Sequence, residues 1–217
     1  MDVVEAALRD SFNDIIMPGL LGGAASQVGA IRYNGLKFGT TVTPLWKGGF
    51  KRLTKDFPRL TPTEYSTSGS TSLHKGVLDL VTMVTSQALQ VADRTGTYPE
   101  CVLVVLSDGK NRQPPFDAAE VLKVTETLHP ELFTLVFISF ETSEIVDAKE
   151  VARSLGFRDV LESKGKPGET PEQQQKRFRN VMKVFSEQLV KRVSVSRVGT
   201  SSGKVDPNQS TGFFDQP

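Results

Sequence analysis

Six consecutive apolar residues, Cys101-Val102-Leu103-Val104-Val105-Leu106, run straight into Ser107-Asp108-Gly109, and this constrains the chain more than any other feature. A strand with one wet face alternates apolar and polar residues. A run that is apolar at every position must be covered on both faces, as inside a parallel sheet. Residues 101–106 are therefore expected to form a central parallel strand, and 132–140 (LFTLVFISF) a second buried one. Helical spacing surrounds them. Leu73, Val77, Leu80, Val81, Val84 and Ala88 form one stripe, and Phe178, Val181, Met182, Phe185 and Leu189 form another within 171–192. Further helices are expected at about 117–129, from Asp117, and at 144–155, where Gly156 is a C-cap; 158–161 reads as a short strand. Thr170-Pro171-Glu172 places an N-cap residue before a proline at the first helical position. Strands alternating with helices of this length predict an α/β fold with a doubly wound, Rossmann-like, mostly parallel sheet. Ligands in such folds lie beyond the carboxyl ends of the strands, so loops 66–72 and 107–116 are the ones to search.

The first part of the chain is less regular. Val4, Ala7, Leu8, Phe12, Ile15 and Ile16 make a helical stripe over 2–17, which Pro18-Gly19 is expected to stop. Segments 27–34 (QVGAIRYN) and 40–46 (TTVTPLW) read as strands that pair as a hairpin around the Asn34-Gly35 turn, with Pro44 marking an edge. Residues 47–66 read as loop. The expected organisation is one domain over 1–198 and a poorly ordered tail over 199–217, in which Phe213 and Phe214 are the residues able to dock.

Composition excludes several functions. Net charge is +1, from 26 basic and 25 acidic residues, and no basic stripe appears, so no nucleic-acid partner is expected. No segment approaches the ~20 apolar residues of a membrane span, and Met1-Asp2-Val3-Val4-Glu5 has neither the basic nor the apolar region of a signal peptide. No membrane partner is expected, and the expected location is cytoplasmic. The single cysteine, Cys101, forms no internal disulfide, and its apolar setting marks it as a structural thiol. His74 and His129 lie far apart without cysteine partners, which argues against zinc. Gly22-Gly23 and Gly48-Gly49 form no nucleotide-binding fingerprint.

Two clusters carry possible chemistry. Asp108 follows the strand directly, and Gly109 permits a tight turn that presents the carboxylate at the sheet's carboxyl edge beside the Ser107 hydroxyl. The plainer reading is a turn. Ser66-Thr67-Ser68-Gly69-Ser70-Thr71-Ser72 precedes a helix, where one hydroxyl serves as N-cap. One cap needs one such residue, and this loop has six hydroxyls. A hydroxyl-rich loop beside a strand-end aspartate suits Mg²⁺ or Mn²⁺, hard cations that take oxygen ligands. Lys110-Asn111-Arg112-Gln113-Pro114-Pro115-Phe116 would border it, as a specificity loop or as an ordinary connection.

Gly69-Ser70-Thr71 opening a helix, followed by a strand and Ser107-Asp108-Gly109, resembles the second and third motifs of the metal-ion-dependent adhesion site of von Willebrand A domains. The longer strings SGSTSLHKGVLDL and VLVVLSDGKN resemble the cytoplasmic bacterial branch associated with tellurite resistance and stress, over roughly residues 1–197. The resemblance implies a von Willebrand A-type fold used for protein interaction. Thr71 and Asp108 would be metal ligands, directly or through water, with Ser70 and Ser107 as supporting hydroxyls and a partner's Glu or Asp completing the sphere. The chain departs from the family at its start. The first motif, Asp-x-Ser-x-Ser, and the central strand it closes are missing, and Asp10-Ser11 lies within a helical stripe. Four to six buried apolar side chains are worth on the order of 10 kcal/mol, against a domain stability of about 5–15 kcal/mol. Three arrangements answer this loss: a shortened reading of a longer gene, a strand donated by a partner, or a sheet closed by rearrangement. The first is the expectation. A metal-independent scaffold of the same fold, and a metal-dependent phosphoesterase drawing on Asp117 and Glu141, are the competing functions.

Overall fold

The structure, a computed structural model, describes residues 3–23, 31–65, 72–108, 117–141, 147–166, 168–195 and 212–214. The chain divides into two units. One comprises Met1–Tyr33, Phe50–Ser66 and Gly168–Pro217; the other comprises Asn34–Gly49 and Thr67–Pro167.

In the first unit, helix α1 (Val3–Ser11) runs through a π turn (Phe12–Ile16) into α2 (Met17–Gly22). The expected stop at Pro18-Gly19 is absent. Proline has no N–H to donate and its ring crowds the carbonyl one turn back. The widened π turn just before Pro18 absorbs that conflict, and the helix continues. α1 packs on the long C-terminal helix α6 (Pro171–Val195). Arg179 pairs with Asp10 at 3.0 Å, and the Ser186 hydroxyl donates to the Ile15 carbonyl at 3.4 Å. α6 begins with a capping box: the Thr170 N–H donates to Gln173 Oε1 at 2.8 Å, and the Gln173 N–H to Thr170 Oγ1 at 3.3 Å. Ala7, Met17, Leu20, Leu60, Phe178, Met182 and Phe185 are buried apolar residues of this unit, joined by Phe213, whose ring stacks on Phe185 with centroids 6.0 Å apart. Asn13 ties a distant loop to the helix, its amide and carbonyl both bonded to the Leu60 backbone at 2.8 Å. Glu5 and Arg9 form a buried ion pair, and Arg9 also donates to the Tyr65 carbonyl at 3.0 Å.

The strand pairing differs from the expected hairpin of 27–34 with 40–46. Residues 27–30 lie outside the described residues. β1 (Arg32–Tyr33) pairs antiparallel with β4 (Lys51–Arg52), while β2 (Leu36–Phe38) pairs antiparallel with β3 (Val42–Pro44) in the other unit. Asn34-Gly35 ends β1 through an Asn34 Oδ1 bond from the Gly35 N–H at 2.9 Å. The true hairpin turn is Gly39–Thr41, where the Gly39 N–H donates to the Thr41 carbonyl at 3.0 Å. Segments joined by so short a loop meet at least entropic cost.

The second unit is mixed α/β, a three-stranded parallel sheet flanked by helices and compatible with a Rossmann-like fold. α3 (Leu73–Thr95) leads to β5 (Cys101–Ser107), α4 (Ala118–Glu126), β6 (Phe133–Glu141), α5 (Ala148–Ser154) and β7 (Asp159–Lys164). The order is β5-β6-β7, both pairings parallel. Thus β6 is the central strand. β5, expected to be central, has one strand neighbour among the described residues. An unbroken apolar run reports that both faces are covered and is silent on how many edges are paired. One face of the sheet packs Leu103, Val105 and Phe137 against Leu73, Val77 and Val81 of α3, Val121 of α4 and Ala152 of α5. Val136 and Ile138, on the opposite face of β6, are fully buried as well. The helices stop where the residues require. Asp117 and Asp147 cap α4 and α5 through backbone N–H bonds of 2.8 and 2.9 Å. Gly156, at φ +84°, turns the chain after α5 where an added Cβ would meet Thr125 Oγ1 at 2.1 Å. Among the described residues no helix is long and apolar enough to cross a membrane.

Candidate functional site

The carboxyl end of β5 is where a parallel sheet presents a side chain to a ligand. Asp108 stands there, half-buried, directly after the last residue of β5, and Ser107 before it is buried at 5% exposure. The connection Gly96–Glu100 between α3 and β5 is short, and α3 packs on β5. After such a turn the helix runs antiparallel to the strand. Twenty-three residues of helix, at about 1.5 Å each, are longer than the seven-residue strand at about 3.3 Å each, so the helix starts at or past the strand's carboxyl end. Ser72, buried just before α3, donates its N–H to the Gly39 carbonyl at 3.0 Å, which fixes that start against the β2–β3 turn. Gly76 permits the close approach, since a Cβ there would lie 2.9 Å from the Phe38 ring.

Thr71 and Ser70, the other expected ligands, lie outside the described residues, as does the loop 110–116. Asp108 and Ser107 are the site residues placed by the structure. Asp117 is committed as an N-cap, accepting from the Glu120 N–H at 2.8 Å. His74 sits half-buried in the first turn of α3, and His129 is exposed after α4. Among the described residues no group of three or more His, Cys, Asp and Glu side chains comes together. The described donors are one carboxylate and its neighbouring hydroxyls.

One hydroxyl was missed in the sequence. The parallel register sets Ser107 beside Ser139 of β6. The pleat turns both side chains to the same face, and Ser139 is fully buried. Among the described residues its Oγ has no hydrogen-bond partner. A buried hydroxyl left unpaired costs about 1–3 kcal/mol, so a polar atom supplied by a ligand or its water would satisfy it. At this end of the sheet Asp108, Ser107 and Ser139 each carry only oxygen donors, the type a hard divalent cation takes. Ser139 was not recognisable from local pattern, because its partner lies on another strand and only the register pairs them.

Cys101 is not a nucleophile of this site. Burial, reinforced by the charge of Glu100, pushes its thiol up to about 11, and its Sγ lies 3.6 Å from the Pro99 carbonyl. The thiol is therefore protonated at neutral pH, and its thiolate fraction rises only as pH approaches that value. Alkylation of the folded protein at pH 8 is expected to run about a hundredfold slower than for an unperturbed cysteine, because only the thiolate reacts. Mass spectrometry of iodoacetamide-treated protein, native against urea-unfolded, reads this directly; equal rates would contradict it. No family model matches the chain, and no curated protein matches it.

Proposed function

We propose that this chain is a von Willebrand A-type interaction module that holds a Mg²⁺ or Mn²⁺ ion and, through it, a carboxylate of a protein partner. Asp108 is the charged ligand, Thr71 the hydroxyl ligand from the loop before α3, and Ser70 and Ser107 supporting hydroxyls. The observation that carries the reading is a half-buried aspartate at the carboxyl end of a parallel strand, directly after the buried Ser107, whose register partner Ser139 is buried and unpartnered among the described residues. A single carboxylate with neutral hydroxyls leaves positive charge on a bound divalent ion, which then attracts a Glu or Asp from the partner. The residues of the chain position that ion and exclude water from its protein side. A role in a cytoplasmic bacterial stress or tellurite-resistance system follows from the motif resemblance.

Calorimetric titration with Mn²⁺ tests the proposal. Wild type is expected to bind. Asp108→Ala is expected to lose essentially all heat, and Thr71→Ala to weaken binding by at least about tenfold, or roughly 1.4 kcal/mol. Binding that persists in Asp108→Ala removes this site. A wild type that takes up no ion leaves the second reading, a metal-independent scaffold of the same fold.

A further inference from the structure

The two lateral edges of the three-stranded sheet are built differently. β7 (DVLESK) carries Asp159, Glu162 and Lys164, and Glu162 pairs with Lys149 at 3.4 Å and with Lys164 at 3.7 Å. Charges on an edge strand discourage another chain from pairing with it. β5 (CVLVVLS) carries no charge, no proline and no glycine over its seven residues.

The direction of its peptide groups can be read from one bond. The Cys101 N–H donates to the Leu132 carbonyl at 2.7 Å, leading into β6. Residues alternate sides along a strand, so Cys101, Leu103, Val105 and Ser107 face β6, whereas the N–H and C=O of Val102, Val104 and Leu106 face away. Among the described residues no strand meets them. Their side chains are half-buried. An apolar strand with a row of outward peptide groups is a template for another strand.

We infer that a second copy of this chain occupies that edge, with β5 pairing to β5 antiparallel about Val104. The strand is complementary to itself in this register. Val104 meets its equivalent, Val102 meets Leu106, Leu103 meets Val105, and Cys101 meets Ser107. The outward peptide groups of Val102, Val104 and Leu106 fall opposite one another, where antiparallel pairs exchange both hydrogen bonds. No like charges face each other across the seam, and a net charge of +1 per chain sets up little repulsion between copies. The two-fold arrangement uses each apolar edge once and closes as a dimer. The edges left on the joined sheet are the two charged β7 strands, which limits further growth.

The test is mass by sedimentation equilibrium, with residue-resolved deuterium exchange of the same samples, across the micromolar range. A dimer is expected, and the Val102, Val104 and Leu106 amides are expected to slow as it forms. Leu103 and Val105 should be protected at every concentration. Val104→Pro removes an N–H that β6 does not use, so the fold should survive while the dimer dissociation constant rises by at least about tenfold. The exchange comparison needs no variant, so a Val104→Pro chain that fails to fold does not shelter the inference. A protein that stays monomeric overturns it, whether those three amides exchange quickly or are already covered by the chain itself. A dimer in which they exchange as fast as in the monomer also overturns it, because the contact then lies elsewhere.

Discussion

Phe137→Ala is expected to destabilise the protein by about 3–5 kcal/mol, the range for removing a fully buried aromatic ring. Phe137 sits in the middle of the central strand at 0% exposure. Its ring packs edge-on against Phe157, with centroids 5.8 Å apart and an interplanar angle of 74°. Leu103, Val121, Ala152 and Leu155 belong to the same cluster, so the cavity would be walled by a strand and two helices that are each held elsewhere. Collapse is therefore limited, which places the cost at the upper end. Against a domain stability of about 5–15 kcal/mol, the folded fraction itself is at stake. Phe137→Leu keeps most of the volume and should cost less than half as much. Urea unfolding at unchanged slope measures both, and an alanine variant within about 1 kcal/mol of wild type would show that this cluster is not the core.

Glu5→Ala should be comparably severe, for an electrostatic reason. Glu5 and Arg9 are 7% and 6% exposed, and they pair one helical turn apart. Removing the carboxylate takes away the counter-charge of a buried guanidinium, which keeps its bond to the Tyr65 carbonyl at 3.0 Å. Breaking one side of such a pair costs about 3–5 kcal/mol. Replacing both residues, as Glu5→Leu with Arg9→Met, removes the stranded charge and should recover most of that loss, although the Tyr65 carbonyl then loses a donor. The order of stability expected in thermal unfolding is wild type and double variant close together, with Glu5→Ala well below. A double variant as unstable as Glu5→Ala would show that the pair does more than neutralise itself.

The long elements were legible because burial writes a period into the sequence. The stripe Leu73, Val77, Leu80, Val81, Val84 and Ala88 gave α3; Leu73, Val77, Val81 and Ala88 are buried, while Leu80 and Val84 are half-buried. The runs at 101–106 and 132–140 gave two strands of the parallel sheet, and Thr170-Pro171 gave the start of α6. Pairing was not legible. Two- and three-residue strands such as Lys51–Arg52 and Leu36–Phe38 are too short to show alternation, so the hairpin partners were misassigned. That β5 has one strand neighbour among the described residues was not legible, because side-chain chemistry describes faces, whereas edges are made of backbone. Pro18-Gly19 looked like a terminator because a π turn leaves no sequence pattern of its own. At the site, Asp108 and Ser107 stood out by following an apolar run. Ser139 did not, since its role depends on a register set between two strands.

The way the first unit is threaded has a consequence for synthesis on the ribosome. Its pieces come from the beginning, the middle and the end of the chain, whereas most of the second unit is one continuous stretch. α1 is made before its partner α6, so it must wait through about 150 residues of translation, on the order of ten seconds at ordinary elongation rates. During that interval the part of α1 that packs on α6 has no mate, although residues 57–65, which bond Arg9 and Asn13, have already been made. The nascent chain thus offers that helix to chaperones until α6 is made, and a premature stop before residue 168 would orphan it while leaving every strand of the parallel sheet already made.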